Sequence, residues 1–166
     1  MEGHGAAQAV IDLCRARGWT LATAESCTGG LVGAALTAPA GASDVYVGGV
    51  IAYSNEVKRA QLGVTEETLQ AHGAVSAETA ASMAAGARRE LDADLAVSVT
   101  GIAGPGGGTP EKPVGLVFMT VESPDGHFAE RLQLPGDRDA IRVGATDAAL
   151  RLLRRVLSQS ATKTGA

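Results

Sequence analysis

Short apolar runs of strand length alternate with segments of helical pattern along this chain of 166 residues. The first run, TLATA at 20–24, lies between predicted helices at 6–17 and 31–36. Two further runs, VYVGGVIAY at 45–53 and LAVSVT at 95–100, have the uninterrupted apolar character of buried strands. Strands that alternate with helices in this way favour an α/β domain, in which helices cover a central sheet.

The region after the third run indicates that the sheet is not wholly parallel. Residues 114–121 and 128–134 are predicted strands, and the SPDG sequence between them is a hairpin signal. A hairpin pairs its strands antiparallel, whereas strands joined through helices pair in parallel. The sequence therefore predicts a three-layer α/β/α sandwich with a mixed, mainly parallel sheet that carries an antiparallel hairpin.

The remaining helices are predicted from capping residues and from apolar residues at helical spacing. They are 55–62, a segment capped by Thr65 that runs to about residue 71, a segment capped by Ser76 that runs to residue 91, and 138–157. The sequence shows no internal repeat and no long linker. We therefore expect a single domain over residues 1–166, with its core at about 6–157 and a flexible polar tail at 158–166.

Composition and charge exclude several classes of function. Alanine and glycine supply 31 and 22 residues and aromatic residues only 3%, so the core must be aliphatic and its elements can pack closely. The formal net charge of −4 leaves no basic field for binding nucleic acid directly. No apolar run reaches the ~18 residues of a membrane span, and the first residues lack the pattern of a signal peptide.

The cysteines and histidines indicate neither a disulfide framework nor a metal site. Cys14 and Cys27 are the only cysteines and have no CxxC spacing, which is typical of a reducing, cytoplasmic setting. The three histidines lie far apart in the sequence, and no metal-ligand spacing connects them. We therefore expect no bound metal and no membrane association.

Ligands of open α/β sheets bind beyond the carboxyl ends of the strands, and three segments are predicted to lie there. They are ESCTGG at 25–30, YSNEVK at 53–58, and the glycine-rich segment that begins TGIAGPGGG at 100–108. The last resembles a phosphate-binding loop only loosely, because Gly108 is followed by Thr109 and not by lysine. A loop of this length is more typical of one that covers a substrate.

Ser26 is the candidate nucleophile of the first segment. It follows a predicted strand and precedes a predicted helix, and Gly29 and Gly30 allow the backbone to approach a ligand closely. Amide groups at the start of that helix could stabilise a phosphate or an oxyanion. The plainer interpretation, that Ser26 or Thr28 only caps the helix, stays open on this motif alone.

Lys58 is the candidate base, because the known serine-enzyme patterns do not fit. The flanks of Ser26 do not match GxSxG, residue 29 is not the lysine of SxxK, and no histidine neighbours the three segments. A partly desolvated lysine can activate a serine, and Lys58 closely follows the second apolar run; a solvated surface lysine is the alternative. Thr100 ends the third run, where its hydroxyl could enter the same cleft or bond only the local backbone.

The start of the last helix offers a candidate ligand for an anion. Arg138 lies where free amide groups make a cation electrostatically unfavourable without an anionic partner. This position is consistent with a phosphate or carboxylate clamp, and equally with an ordinary surface arginine.

Together these motifs resemble the CinA C-terminal domain family. The segments that carry the resemblance occur in the family's order over about residues 6–157: TLATAESCTGGLVGAALT, GGVIAYSNEVKRAQLGV, GAVSAETAASMA, SVTGIAGPGGGTPEKPVGLVF and GDRDAIR. These motifs are long and jointly specific. The chain has no room for the molybdopterin-binding-like domain that often precedes this one in the family, so the resemblance implies the stand-alone form.

The resemblance implies a nicotinamide-nucleotide amidase, which hydrolyses the carboxamide of nicotinamide mononucleotide to nicotinic acid mononucleotide and ammonia. This reaction belongs to pyridine nucleotide salvage and, in the family, needs no metal and no organic cofactor. Ser26 matches the family's proposed nucleophile, Lys58 the lysine that activates it, and Thr100 the associated hydroxyl. The candidate substrate-binding residues are Cys27, Thr28, Gly29, Gly30, Tyr53, Asn55, Gly101, Arg138 and Arg142.

These matches lead to a hypothesis for the mechanism. Neutral Lys58 takes the proton of Ser26, which attacks the carboxamide carbon, while Thr100 orients the pair. Backbone amides near Gly29 and Gly30, or near Gly101, hold the oxyanion.

Two other functions remain open alongside this one. The chain could be a non-catalytic module that binds a nucleotide or a protein of the competence or DNA-damage response, as the family's name suggests. It could also be an amidase for another small amide. The joint presence of Ser26, Lys58 and Thr100 favours an enzyme, because a binding module would not need all three.

The expected partners are a small-molecule substrate and a second copy of the chain. The ribose phosphate of the nucleotide would meet Arg138 or, one helical turn later, Arg142. Family members that resemble this chain self-associate, and an alanine-rich surface can pack against its copy. We therefore expect a homo-oligomer, a dimer in the simplest case.

Overall fold

The computed structural model describes residues 2–163, which form six α-helices and five β-strands. In chain order the elements are α1 (Glu2–Arg17), β1 (Leu21–Glu25), α2 (Leu31–Thr37), β2 (Tyr46–Ile51), α3 (Asn55–Leu62), α4 (Glu66–His72), α5 (Ala77–Glu90), β3 (Leu95–Gly101), β4 (Leu116–Ser123), β5 (Gly126–Gln133) and α6 (Arg138–Lys163). A short 3-10 helix at Ala42–Asp44 lies between α2 and β2.

The strands form one sheet in the order β2-β1-β3-β4-β5 within the described residues. β1 pairs in parallel with β2 on one side and with β3 on the other. β3 pairs antiparallel with β4, and β4 pairs antiparallel with β5. All strands except β4 therefore point in the same direction, which confirms the mixed, mainly parallel sheet with an antiparallel hairpin.

Helices cover both faces of the sheet, which confirms the α/β/α layering. α1, α2 and α6 pack together on one face over the larger core, an aliphatic cluster that includes Ile11, Leu36 and Leu153. α3, α4 and α5 lie on the other face over a smaller core that includes Leu62 and Met83. The carboxyl ends of β1, β2 and β3 meet at one edge, between these two layers of helices.

Gly86 lets α5 contact the end of α3. A Cβ atom at position 86 would collide with the carbonyl group of Leu62. We expect Gly86→Ala to lower the free energy of unfolding by about 1–3 kcal/mol, as is usual when an extra carbon is forced into a packed contact. Urea unfolding measures this change. Gly5→Ala in α1, where a Cβ atom meets nothing within 4 Å, is the matched control and should be neutral or stabilising. A Gly86→Ala protein as stable as wild type would contradict the close contact.

β2 is an edge strand, so the prediction of a buried strand at 45–53 is wrong. In the described sheet β2 pairs with β1 alone, and its residues alternate between half-buried and exposed. The side chains of Val47 and Ile51 are among the exposed ones, at 48% and 55%. An apolar run indicates a strand, but it does not indicate whether the strand has one neighbour or two.

The two terminal helices are longer than predicted. α1 begins at Glu2 and not at residue 6, and α6 continues to Lys163, beyond the predicted end at residue 157. Part of the predicted polar tail is therefore helical. Residue 1 and residues 164–166 lie outside the described residues, and the flexibility of the tail stays a prediction.

Candidate active site

Ser26 directly follows β1 at the carboxyl end of the sheet. Its amide donates a hydrogen bond of 2.9 Å to the carbonyl oxygen of Val99 on β3, which extends the parallel pairing of β1 and β3 by one residue. The residue is 7% exposed. Ser26 therefore lies at the sheet edge where ligands of such folds bind.

Lys58 reaches Ser26 from the helix that follows β2. The side chain of Ser54 caps α3, which fixes where the helix begins, and Lys58 lies one turn further on with only 1% of its surface exposed. Its Nζ atom lies 3.0 Å from the Oγ atom of Ser26. The same Nζ atom lies 2.9 Å from the carbonyl oxygen of Ala52 and 3.1 Å from that of Tyr53. The structure thus brings the predicted nucleophile and base into contact.

The surroundings of Lys58 favour its neutral form. Burial lowers the pKa of the amine from its ordinary value of 10.5, and a smaller effect of Cys27 opposes this. None of the ion pairs described for the chain includes Lys58. A neutral amine has two N–H groups and one lone pair. When the N–H groups donate to the carbonyl oxygens of Ala52 and Tyr53, the lone pair is left to accept the proton of Ser26.

The amides at the start of α2 bind a side chain of the protein itself. The carboxylate of Glu25, which is 2% exposed, accepts hydrogen bonds from three of them. The amides of Gly30 and Val32 donate to Oε1 at 3.2 and 2.9 Å, and the amide of Gly33 donates to Oε2 at 3.0 Å. The hydroxyl of Thr28 also donates to Oε1, at 2.6 Å. Glu25 therefore occupies the place that a bound anion would take.

The amides of Gly29 and Gly30 themselves are hydrogen-bonded within the protein, and the expectation that amides of this turn hold an oxyanion stays a prediction. The Gly30 amide donates to Glu25, and the Gly29 amide donates to the carbonyl oxygen of Ser26 at 3.1 Å. Both glycines have positive φ angles, 59° and 108°, which a residue with a side chain adopts only with strain. These two glycines therefore shape the turn that presents Ser26.

The amide of Gly101, the alternative predicted for the oxyanion, lies on the β1 side of β3. The amide of the next residue, Ile102, donates to Leu116 at the start of β4. Successive residues of a strand turn their amides to opposite sides, so the Gly101 amide faces β1, which Ser26 continues. No partner for this amide is described. A side chain at position 101 would lie 2.8 Å from Val117, so the position requires glycine.

Cys27 is adjacent to the nucleophile, but its thiol is not a competing one. Burial raises the pKa of the Cys27 thiol to about 11, and the charge of Glu25 adds to this effect. The thiolate is the reactive form of cysteine, and a thiol with this pKa stays protonated at neutral pH. Ser26, whose Oγ atom contacts Lys58 Nζ, therefore stays the candidate nucleophile at this edge.

Arg142 of α6 contacts the backbone that follows Ser26. Its Nε atom lies 3.1 Å from the carbonyl oxygen of Cys27, and its Nη2 atom lies 3.3 Å from the carbonyl oxygen of Thr28. Among the described residues, no carboxylate forms an ion pair with Arg142. The guanidinium thus donates its described hydrogen bonds to the protein's own backbone.

Arg138, one turn earlier on α6, lies with Tyr53 at the exposed rim of the site, the part of this sheet edge that faces solvent. Its Nη1 atom donates a 2.7 Å hydrogen bond to the carbonyl oxygen of Gly104 in the glycine-rich loop, and its Nη2 atom donates at 3.3 Å to the Tyr53 hydroxyl. The described ion pairs include no partner for Arg138 either. Tyr53 is largely exposed. A cation and a hydroxyl are therefore presented together to solvent beside the Ser26–Lys58 pair.

No described hydrogen bond joins Thr100 or Asn55 to the Ser26–Lys58 pair. The Thr100 hydroxyl is buried and donates to the carbonyl oxygen of Ala74 at 2.8 Å. This bond reaches backbone 26 positions earlier in the chain, so it is not the local bond that the sequence offered as the alternative, and an orienting role stays a prediction. Asn55 is the exposed first residue of α3.

Sequence reasoning missed Glu25. The signal was present: an acidic residue ends an apolar strand, immediately before a turn with two glycines and a helix. A buried carboxylate needs donors, and the free amides of a helix start are the nearest ones along the chain.

Metal ligands and membrane spans are absent from the part of the chain that the structure describes. No group of three or more histidine, cysteine or acidic residues in that part could hold a metal ion. No helix in residues 2–163 is long and apolar enough to cross a membrane. Cys14 and Cys27 are free and buried.

Comparison with known proteins identifies the family. The family model described as CinA C-terminal domain matches residues 4–157. The chain belongs to the CinA C-terminal domain family. A CinA-like protein of Mycolicibacterium gilvum is 56% identical over 142 residues, which cover 85% of this chain and 34% of that protein. A CinA-like protein of Kosmotoga olearia is 51% identical over 148 residues, with coverages of 89% and 36%. The chain thus spans about a third of the length of these curated relatives.

Solved structures of CinA-related proteins share the fold over nearly their whole length. The competence/damage inducible protein CihA from Agrobacterium tumefaciens is 42% identical, with a TM-score of 0.91 and coverage of 95% of this chain and 96% of that one. A CinA superfamily protein from Klebsiella pneumoniae is 36% identical, with a TM-score of 0.92 and coverages of 96% and 99%.

Proposed function

We propose that this CinA-family chain is an amidohydrolase that converts nicotinamide mononucleotide to nicotinic acid mononucleotide and ammonia. The observation that carries the proposal is the buried contact of 3.0 Å between Lys58 Nζ and Ser26 Oγ. Burying a lysine without a carboxylate partner is costly for folding, and such costly groups with shifted pKa values cluster at functional sites. The resemblance to the nicotinamide-nucleotide amidases supplies the substrate.

The first half of the reaction forms an ester on Ser26. Ser26 Oγ attacks the carboxamide carbon while its proton passes to the Lys58 amine, which gives a tetrahedral intermediate with a negatively charged oxygen. As the C–N bond breaks, Lys58 donates its proton to the departing nitrogen, which leaves as ammonia. Lys58 is neutral again at the end of this step.

The second half releases the acid. Water attacks the ester carbon while Lys58 takes a proton from it, and the ester C–O bond then breaks. Lys58 returns its proton to Ser26 Oγ, so nicotinic acid mononucleotide leaves and the enzyme is restored. The two carbonyl oxygens on Lys58 Nζ hold the amine in place through both halves.

The Gly101 amide is the proposed oxyanion donor. It is on the side of β1, which Ser26 continues, and has no described partner, whereas the amides of Gly29 and Gly30 are already bonded. The amide of Cys27, directly after the nucleophile, is a second candidate without a described backbone partner. One such donor is worth about 10²–10³ in kcat.

Arg138 is the proposed ligand of the nucleotide phosphate, with Tyr53 beside it. Both lie at the rim next to the nucleophile, and Arg138 has no carboxylate partner to displace. A guanidinium is well suited to bind a phosphate through two hydrogen bonds. The phosphate would then be held at the rim while the carboxamide reaches Ser26.

Ammonia release from nicotinamide mononucleotide by the purified protein, with EDTA present, tests this function. We expect turnover in EDTA, with nicotinic acid mononucleotide as the second product. Turnover of another amide alone would retain the amidase and change the substrate.

The free, buried thiols of Cys14 and Cys27 support the reducing, cytoplasmic setting that we propose for the reaction.

The second candidate function is a non-catalytic module of the competence or DNA-damage response. The related protein from Agrobacterium tumefaciens is called a competence/damage inducible protein, and this name favours such a module. The same assay separates the two functions. A protein that binds the nucleotide without releasing ammonia would be a binding module.

We also propose that the chain is a homodimer whose interface contains β2. This strand is an open edge, Val47 and Ile51 are half exposed, and residues 45–53 contain no charged residue and no proline. Edge strands that do not pair with another chain usually carry charged residues or proline. The opposite edge strand, β5, carries Glu130 and Arg131. The VGGV sequence reads the same in both directions, which suits a two-fold axis through the strand.

Light scattering on a sizing column tests the dimer. We expect wild type at twice 16.7 kDa, and Val47→Lys as a monomer, because a charge would be buried at the shared edge. Val47 is the extra residue of a bulge against β1, so the lysine can be accommodated without disturbing that pairing. His127→Lys on the exposed face of β5 is the control and should leave the mass unchanged. A wild-type monomer would contradict the proposal.

A further inference from the structure

We propose that Glu25 and Arg142 are positioning residues that together hold the nucleophile turn, residues 26–30. The proposal rests on the proposed function, because it assumes that Ser26 is the nucleophile. Glu25 binds hydrogen-bond donors of the turn and of the helix after it, and Arg142 binds acceptors of the same turn.

Glu25 fixes the far end of the turn. Its buried carboxylate accepts the Thr28 hydroxyl at 2.6 Å and the Gly30 amide at 3.2 Å, both within the turn. It also accepts the amides of Val32 and Gly33 in the first turn of α2. Because Glu25 is the residue directly before Ser26, this one side chain ties the start of the turn to its end.

Arg142 fixes the middle of the turn from α6, which packs beside α2 in the same layer of helices. Its guanidinium donates to the carbonyl oxygens of Cys27 and Thr28, at 3.1 and 3.3 Å. The contact is close enough that a Cβ atom at Gly29 would lie 3.3 Å from Arg142 Nη2. α6 thus contributes a cation to a turn that β1 and α2 build.

Glu25 binds only hydrogen-bond donors of the turn, and Arg142 binds only acceptors of it. The carboxylate can only accept hydrogen bonds and the guanidinium can only donate them, so neither can take the place of the other. Hydrogen bonds to charged groups are roughly twice as strong as neutral ones. A nucleophile displaced by about 1 Å can lose on the order of 10²-fold in rate. We therefore expect both residues to act on Ser26 through the position of its backbone.

This assignment separates the two arginines that the sequence offered for the phosphate. Arg142 is half-buried with both of its described side-chain hydrogen bonds on the turn, whereas Arg138 is exposed beside Tyr53, which leaves Arg138 as the phosphate ligand. Glu25 already accepts hydrogen bonds from the amides at the start of α2, so these amides are not free to bind an anion of the substrate.

Steady-state kinetics of Glu25→Gln, Arg142→Met and Arg138→Met test the assignment. We expect the first two to lower kcat by about 10–100-fold with KM changed less than about threefold, since a displaced nucleophile affects the chemical step. Arg138→Met should instead raise KM by about tenfold or more. The double variant Glu25→Gln/Arg142→Met should lose less than the product of the single losses, because both residues hold one turn. An Arg142→Met enzyme with raised KM and unchanged kcat would overturn the assignment.

Amide hydrogen exchange of residues 27–33 gives a readout that does not depend on turnover. We expect faster exchange at Gly30, Val32 and Gly33 in Glu25→Gln, and also in Arg142→Met, although Arg142 contacts none of these amides. Arg138→Met should leave exchange there as in wild type. Unchanged exchange in Arg142→Met overturns the shared role even if the enzyme is an amidase. Faster exchange in both variants of a protein whose wild type releases no ammonia would instead locate the failure in the proposed function.

Thr28→Val covers the case in which Glu25→Gln does not fold. This change keeps the shape of the side chain and removes only the hydroxyl that donates to Glu25. We expect a decrease in kcat of about threefold to tenfold with KM unchanged, the typical loss of one hydrogen bond. A Thr28→Val enzyme with wild-type kcat would count against Glu25 as a positioning residue.

Discussion

Replacing Ser26 with alanine should lower kcat/KM for ammonia release from nicotinamide mononucleotide by about 10⁴-fold or more. Without the Oγ atom there is no nucleophile beside Lys58, and what remains is binding and the oxyanion donors. Nucleotide binding should change little, since the proposed phosphate ligand Arg138 lies at the rim. An ammonia assay and calorimetric titration of the nucleotide measure the two effects.

Ser123→Ala is the matched control for this variant. Ser123 is also buried and hydrogen-bonded, but its hydroxyl contacts Gly126 in the β4–β5 hairpin, at the end of β4. Its ammonia release should equal that of wild type. A Ser26→Ala protein that folds and keeps most of its activity would show that another group attacks the carboxamide. A wild type that binds the nucleotide without hydrolysis would favour the non-catalytic module.

The sequence predicted α3 closely because local signals determine both of its ends. Ser54 caps the start by side-chain hydrogen bonding, and Gly63 ends the helix with a φ angle of 69°, as capping rules require. These signals lie within a few residues of the helix and do not depend on the rest of the fold. The placement of Lys58 at the sheet edge could therefore be anticipated from the sequence.

The features that could not be predicted depend on contacts between distant parts of the chain. β2 has the composition of a central strand, and only the strand order shows that it is an edge. The contact of Arg142 with the backbone at Cys27 joins residues 115 positions apart, and no local pattern indicates it. Glu25 is a different case, because its signal is local: an acidic residue ends the strand directly before the glycine turn and the helix.

Replacing Lys58 should have the second-largest effect. We expect Lys58→Met to lower kcat/KM by about 10³-fold, within the range for loss of a general acid–base group. Lys58→Arg should not restore activity, because a guanidinium keeps its proton and cannot accept that of Ser26. Activity in Lys58→Arg would mean that a positive charge, and not a base, is what the site requires. Circular dichroism and nucleotide titration would show that each variant is folded.

The pH dependence of wild-type kcat/KM should identify Lys58 as the base. Activity should rise with pH as Lys58 loses its proton, and the midpoint of this rise should lie below 10.5, because burial lowers the pKa of the amine. The residual activity of Lys58→Met should lack this rise. If the variant keeps the same midpoint, the proton acceptor is another group.

The same pKa difference should affect stability, with a sign that can be checked. The unfolded chain holds the Lys58 proton up to its ordinary pKa of 10.5, whereas the folded protein releases it at a lower pH. Between these two values the unfolded state binds more protons, so the free energy of unfolding rises with pH, and below the folded pKa the full penalty applies. Lys58→Met has no such proton, so its stability should rise less over this range. Urea unfolding of both proteins at several pH values measures the difference. Equal slopes would mean that the pKa of Lys58 is not lowered in the folded protein, and neutral Lys58 would then lose its physical basis as the base that activates Ser26.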